Sequence, residues 1–101
     1  MLFRSLEVVR TLNDRGIRTQ APIEVAVWTN EEGSRFSPAM MGSGVHAGVF
    51  GVEEILGKRD MEGRRFGDEL ARIGYAGAAP VGGRRFDSYF ELHIEIGRAH
   101  V

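Results

Sequence analysis

Two neighbouring carboxylates and one histidine are the residues of this sequence whose types and spacing could do chemistry. Glu31 and Glu32 directly follow an apolar run at residues 23–29. In open α/β sheets, sites collect just beyond the carboxyl ends of strands. Adjacent carboxylates point in different directions, so they can divide two roles. One can ligate a hard or borderline cation through oxygen while the other takes a proton from water held by that cation. The same pair also reads as a solvated acidic turn opening the next segment. His93 lies in Tyr89-Phe90-Glu91-Leu92-His93-Ile94-Glu95. Period-two alternation puts Tyr89, Glu91, His93 and Glu95 on one face and Phe90, Leu92 and Ile94 on the other. An ionisable strand face needs water, pairing or a metal, and imidazole beside a carboxylate is a common ligand for zinc-like ions. An edge strand with one wet face satisfies the same pattern.

Other candidates carry less. His46 has no acidic or histidine partner at metal spacing and reads as a surface or packing residue. The glycines around it lack a Gly-Lys-Ser/Thr ending, so they do not form a phosphate loop. No serine stands in a Gly-x-Ser-x-Gly elbow. Phe36, Met40 and Met41 read as packing residues. Arg64-Arg65 and Arg84-Arg85 read as solvated loop charges.

The elements that must position the acidic pair follow from spacing. Leu6, Val9 and Leu12 recur at helical intervals, and Gly16 supplies a cap, which predicts a helix over residues 6–15. Pro22 precedes a predicted strand over residues 23–29 that is apolar on both faces, as in a covered parallel sheet. Residues 30–36 are polar and loop-like. Glycines 42, 44, 48 and 51 predict irregular backbone with short helical turns. Helices are predicted over 52–59 and 66–73, the second ended by Gly74. A loop at 74–83 leads to a second predicted strand at 86–94. The fold class is α/β, with a mixed or mostly parallel sheet flanked by helices.

Composition bounds the function. The chain has 101 residues, 43% hydrophobic and 27% charged, with net charge -1. That is ordinary globular composition for one modest domain or a piece of a larger one. The absence of cysteine removes disulfide scaffolds, thiolate metal sites and cysteine nucleophiles. Without a basic stripe, nucleic acid is not expected as a partner. No run of about 18 apolar residues predicts a membrane span, and no signal segment opens the chain, so the expected address is the cytoplasm.

The two ends share an oddity. Written as GTG CTC TTC CGA TCT, Met1-Leu2-Phe3-Arg4-Ser5 has a reverse complement whose third-base frame reads ATC GGA AGA GCA C, which encodes Ile96-Gly97-Arg98-Ala99 and opens the codon of His100. That DNA resembles a sequencing-library adapter. Residues 1–5 and 96–101 are therefore expected to be adapter-derived, and residues 6–95 to be the protein proper. Without Arg4 and Arg98 the charge becomes 11 minus 14, or -3.

Thr29-Asn30-Glu31-Glu32-Gly33-Ser34-Arg35-Phe36, then Met41-Gly42-Ser43-Gly44, then Glu91-Leu92-His93-Ile94-Glu95 resemble hydantoinase/carbamoylase-type amidases. These are N-carbamoyl-L-amino-acid hydrolases, allantoate amidohydrolases and β-ureidopropionases, within the aminoacylase and metallo-carboxypeptidase superfamily. The resemblance covers nearly all of residues 6–95. It implies part of a two-metal catalytic domain (zinc or manganese, with cobalt possible in their place), Glu31 as general base, and Glu32 and His93 as ligands of the two metals. It also implies a small ureido substrate, such as an N-carbamoyl-L-amino acid, allantoate or ureidoglycolate, and a homodimer formed through a lid domain absent here. Ser34-Arg35-Phe36 favours the carbamoylase branch over an aminoacylase or dipeptidase. The family's upstream His-x-Asp and Gly-Gly-x-x-Asp are missing, and Ile96-Gly97-Arg98 stands where Gln-Gly-Pro is expected. Two ligands are too few for a working site, so the 101-residue chain is expected to be inactive alone. A small non-catalytic α/β binding module is the reading from a different class.

Overall fold

The computed structural model describes residues 2–93, which hold four helices: α1 (Leu2–Asp14), α2 (Met41–His46), α3 (Val52–Leu56) and α4 (Phe66–Arg72). They belong to two units. One comprises residues up to 27 together with those from 86 onward, and the other is Trp28–Arg85. No helix among the described residues is long and apolar enough to cross a membrane.

In the first unit, α1 starts at Leu2 rather than at residue 6, because residues 2–5 contain no breaker and extend the helical run. The expected glycine stop is present. Gly16 takes φ 62, its N–H donates to Asn13 O at 3.1 Å, and Ile17 N–H donates to Leu12 O at 2.9 Å. These bonds satisfy carbonyls that the helix end leaves open. None of the described residues of α1 is buried.

In the second unit, Phe36, Met41, Ile55 and Phe66 form the buried core, with Val45, Phe50, Leu56 and Leu70 packed against it. The packing assignment holds for Phe36 and Met41, while Met40 is 58% exposed. Helix α3 is shorter than the predicted 52–59 because Gly57 closes it, donating to Glu53 O at 3.1 Å. The chain then turns around Asp60, whose Oδ1 accepts from the N–H of Glu62 at 2.9 Å and of Arg64 at 2.8 Å. Helix α4 matches its prediction to within one residue. It ends at Arg72, and Gly74 at φ 79 turns the chain away, with Tyr75 N–H donating to Leu70 O at 2.8 Å.

The expected strands differ. Among the described residues neither 23–29 nor 86–93 carries a ladder, and the one β-bridge joins Arg59 to Arg65. Residue 94 of the second predicted strand lies outside the described residues. Ile23 and Val27 are 50% and 66% exposed, so the run expected to be covered on both faces is open. A strand exists only where a partner accepts its hydrogen bonds. The sequence carries the β-type pattern, but the described residues supply no partner for it.

Candidate functional site

Residues 29–42 form a loop closed on itself, and Glu31 and Glu32 stand side by side on it. Asn30 takes φ 53, a left-handed conformation that asparagine tolerates better than most residues. Its Nδ2 donates to Phe36 O at 2.8 Å and Pro38 O at 3.2 Å. The loop's ends are tied by backbone bonds: Met40 N–H to Glu31 O at 2.7 Å, Met41 N–H to Asn30 O at 3.4 Å, and Gly42 N–H to Thr29 O at 3.0 Å. Both glutamates are exposed. Their carboxylates are therefore carried by a tied backbone and presented outward.

Three glycines of this region sit where a Cβ would meet neighbouring atoms at close range. A Cβ on Gly42 would lie 2.9 Å from Thr29 N. One on Gly33, at φ 71, would lie 2.9 Å from Ala39 Cα, and one on Gly44 would strike the Phe50 ring.

An ion-pair cluster stands beside the acidic loop. Arg35 Nε donates to Asp60 Oδ2 at 2.9 Å, and an Arg35 Nη donates to Glu69 Oε2 at 2.9 Å. Arg72 donates to the same Glu69 oxygen at 2.8 Å. Hydrogen bonds from Arg72 and then Arg35 pull the Glu69 carboxyl down to about 2 from its ordinary 4.5. Partial burial pushes the Asp60 carboxyl up, but bonds from Arg64 N–H, Arg35 and Glu62 N–H outweigh it and leave Asp60 below its ordinary value. A cavity of about 200 Å³ is lined by Thr29, Asn30, Arg35, Phe36, Glu69 and Arg72 among others; neither acidic side chain of the pair lines it.

His93 is exposed and belongs to the other unit. Two residues before it, Glu91 accepts from Tyr89 Oη at 2.8 Å. This is a contact between residues two apart, the interval of the face assigned to His93. His46 is half-buried, with its ring 5.4 Å from that of Trp28. Among the described residues no three His, Cys, Asp or Glu side chains converge to hold a metal.

Sequence reasoning missed the Arg35 cluster. Glu69 and Arg72, three apart on a predicted helix, were a visible pairing signal. The partners of Arg35 lie 25 and 34 residues away in sequence, and no local pattern announces them.

Residues 1–100 match the profile of peptidase family M20/M25/M40. The N-carbamoyl-L-amino-acid amidohydrolase of Rhizobium meliloti is 58% identical over 92 residues, which is 91% of this chain and 22% of that protein. The N-carbamoyl-L-amino acid amidohydrolase of Geobacillus stearothermophilus is 40% identical over 97 residues, 92% of this chain and 24% of that protein. The crystal structure of a hydantoinase/carbamoylase family amidase from Burkholderia vietnamiensis superposes with a TM-score of 0.81 at 61% identity, covering 83% of this chain and 20% of that one. The chain thus spans under a quarter of the length of these relatives.

Proposed function

This chain belongs to peptidase family M20/M25/M40, and on that premise we propose that it is part of the catalytic domain of a metal-dependent amidohydrolase acting on linear ureido compounds. N-carbamoyl-L-amino acids are the first substrates to test. The observation that carries the reading is the 58% identity to a protein named for that activity, over a stretch that includes the tied Glu31–Glu32 loop. Residues 6–95 are the portion assigned to the catalytic domain, with 1–5 and 96–101 assigned to adapter read-through. The α/β sheet of that domain is completed by strands from the rest of a longer protein, which pair with residues 23–29 and 86–93.

In this reading Glu32 and His93 are two ligands of a two-metal set whose other members lie beyond this chain. Zinc, manganese and cobalt all suit them. When bound, such metals polarise the scissile carbonyl and lower the pKa of water. The chain's own contribution is Glu31. Its carboxylate accepts a proton as water adds to the ureido carbon, and returns it to the departing nitrogen as the tetrahedral adduct collapses, the carbonyl re-forms and the C–N bond breaks. Exposure on a backbone-tied loop suits that shuttle, because the carboxylate must reach water and still hold its place. A cytoplasmic address and a homodimer formed through a domain outside this chain belong to the same proposal.

The test is release of ammonia and amino acid from N-carbamoyl-L-amino acids by the full-length protein containing this stretch. Glu31→Gln is expected to cut kcat by about 10²–10⁴-fold, and a chelator to abolish activity reversibly. Hydrolysis of N-acyl but not N-carbamoyl amino acids would turn the reading to an aminoacylase. The 101-residue chain alone is expected to be inactive, and measurable metal-dependent hydrolysis by it would overturn the assignment as a partial domain.

A further inference from the structure

We infer that Arg35 is a positioning residue for the acidic pair, clamping the Glu31–Glu32 loop to the helical layer of its unit through Asp60 and Glu69. The inference rests on the reading of Glu31 as general base.

Arg35 meets two carboxylates at 2.9 Å each, one in the turn after α3 and one on α4. Both are held from other sides. Asp60 Oδ1 takes two backbone N–H groups, and Glu69 also takes Arg72. Their side chains are only 7% and 13% exposed, against 44% for Arg35. The guanidinium therefore docks onto two fixed points, and its planar fork converts them into a defined orientation. The next residue, Phe36, is 5% exposed and packs edge-on against Phe66 with ring centroids 5.0 Å apart. Apolar burial is non-directional. Phe36 thus sets how deep the loop sits, while Arg35 sets how it is turned. Arg35 Cζ also lies 5.0 Å from the Phe36 ring centroid, which joins the two anchors.

The guanidinium is 44% exposed, so its ion pairs add only modestly to stability, and the larger consequence belongs in turnover. The experiment uses the full-length protein and N-carbamoyl-L-amino acids. Arg35→Ala is expected to lower kcat by about 10- to 100-fold, with KM held within about twofold, because misplacing a catalytic group costs rate more than binding. Arg35→Lys, a point charge without the fork, is expected to restore only part of that loss. Glu69→Gln in the Arg35→Ala background is expected to add little, since the shared interaction is already gone. Phe66→Leu is the packing control, lowering the melting temperature more than Arg35→Ala while lowering kcat less. An unchanged kcat in Arg35→Ala would overturn the inference. So would a loss that tracks melting temperature across both variants, or a rise in KM alone. Glu31→Gln separates the two levels. If it stays active, the general-base reading fails and this inference fails with it. If it is inactive while Arg35→Ala runs at full rate, only the positioning role fails.

Discussion

Asn30 does more for the candidate site than its neighbours' charges suggest. It occupies the left-handed region at φ 53 and spends its side-chain amide on the carbonyls of Phe36 and Pro38. Asn30→Ala removes both bonds and leaves a β-carbon in a conformation that resists it. Unfolding by denaturant is expected to show a loss of about 2 kcal/mol for the unit containing it. Asn30→Gly keeps the backbone freedom and is expected to lose about half as much. Glu69 carries a pH prediction. Its folded pKa of about 2 lies below the ordinary 4.5, so its contribution is complete above 4.5 and is lost as pH falls toward 2. Melting temperature is expected to drop across that window, and Glu69→Gln to flatten the drop. A curve unchanged by Glu69→Gln would deny the cluster its assigned role.

At the scale of elements, close backbone approach decides more than propensity. Gly42 stands in the first turn of α2, where a β-carbon would sit 2.9 Å from Thr29 N. Backbone cannot yield as a flexible side chain can, so Gly42→Ala is expected to cost about 1–3 kcal/mol. Gly77→Ala, where a β-carbon would meet nothing within 4 Å and the backbone is not left-handed, is the control and is expected to be close to neutral. Denaturant titration of both variants checks this, and equal losses would argue against the clash. Much at this scale was legible. The stops at Gly16 and Gly74 were readable because each closes its helix through bonds spanning five residues. The overrun of α3 and the missing ladders were not, since they depend on Gly57's local closure and on partners for residues 23–29 and 86–93.

For the molecule, the buried hydrophobic core of the described residues lies wholly in Trp28–Arg85, and α1 contributes nothing to it. Amides open at a cost set by the packing above them. Hydrogen exchange on the 101-residue chain is therefore expected to show protection concentrated in residues 28–85, with α1 and residues 86–93 exchanging fast. In the full-length protein the same amides of α1 are expected to slow markedly as missing layers cover Leu6, Val8, Ile23 and Val27, all of them exposed here. Uniform protection in the short chain would contradict this division.

The sequence by itself determined whatever acts over a few residues: the adjacency of Glu31 and Glu32 and the helix-ending glycines at 16 and 74. Tertiary structure alone decided that Arg35 reaches Asp60 and Glu69, that Gly42 must clear Thr29, and that the apolar run at 23–29 stands open among the described residues. The reason is physical. Caps and alternation are settled by neighbours in the chain, whereas ion pairs, close packing and ladders are settled by whichever distant residues the fold brings within about 3 Å.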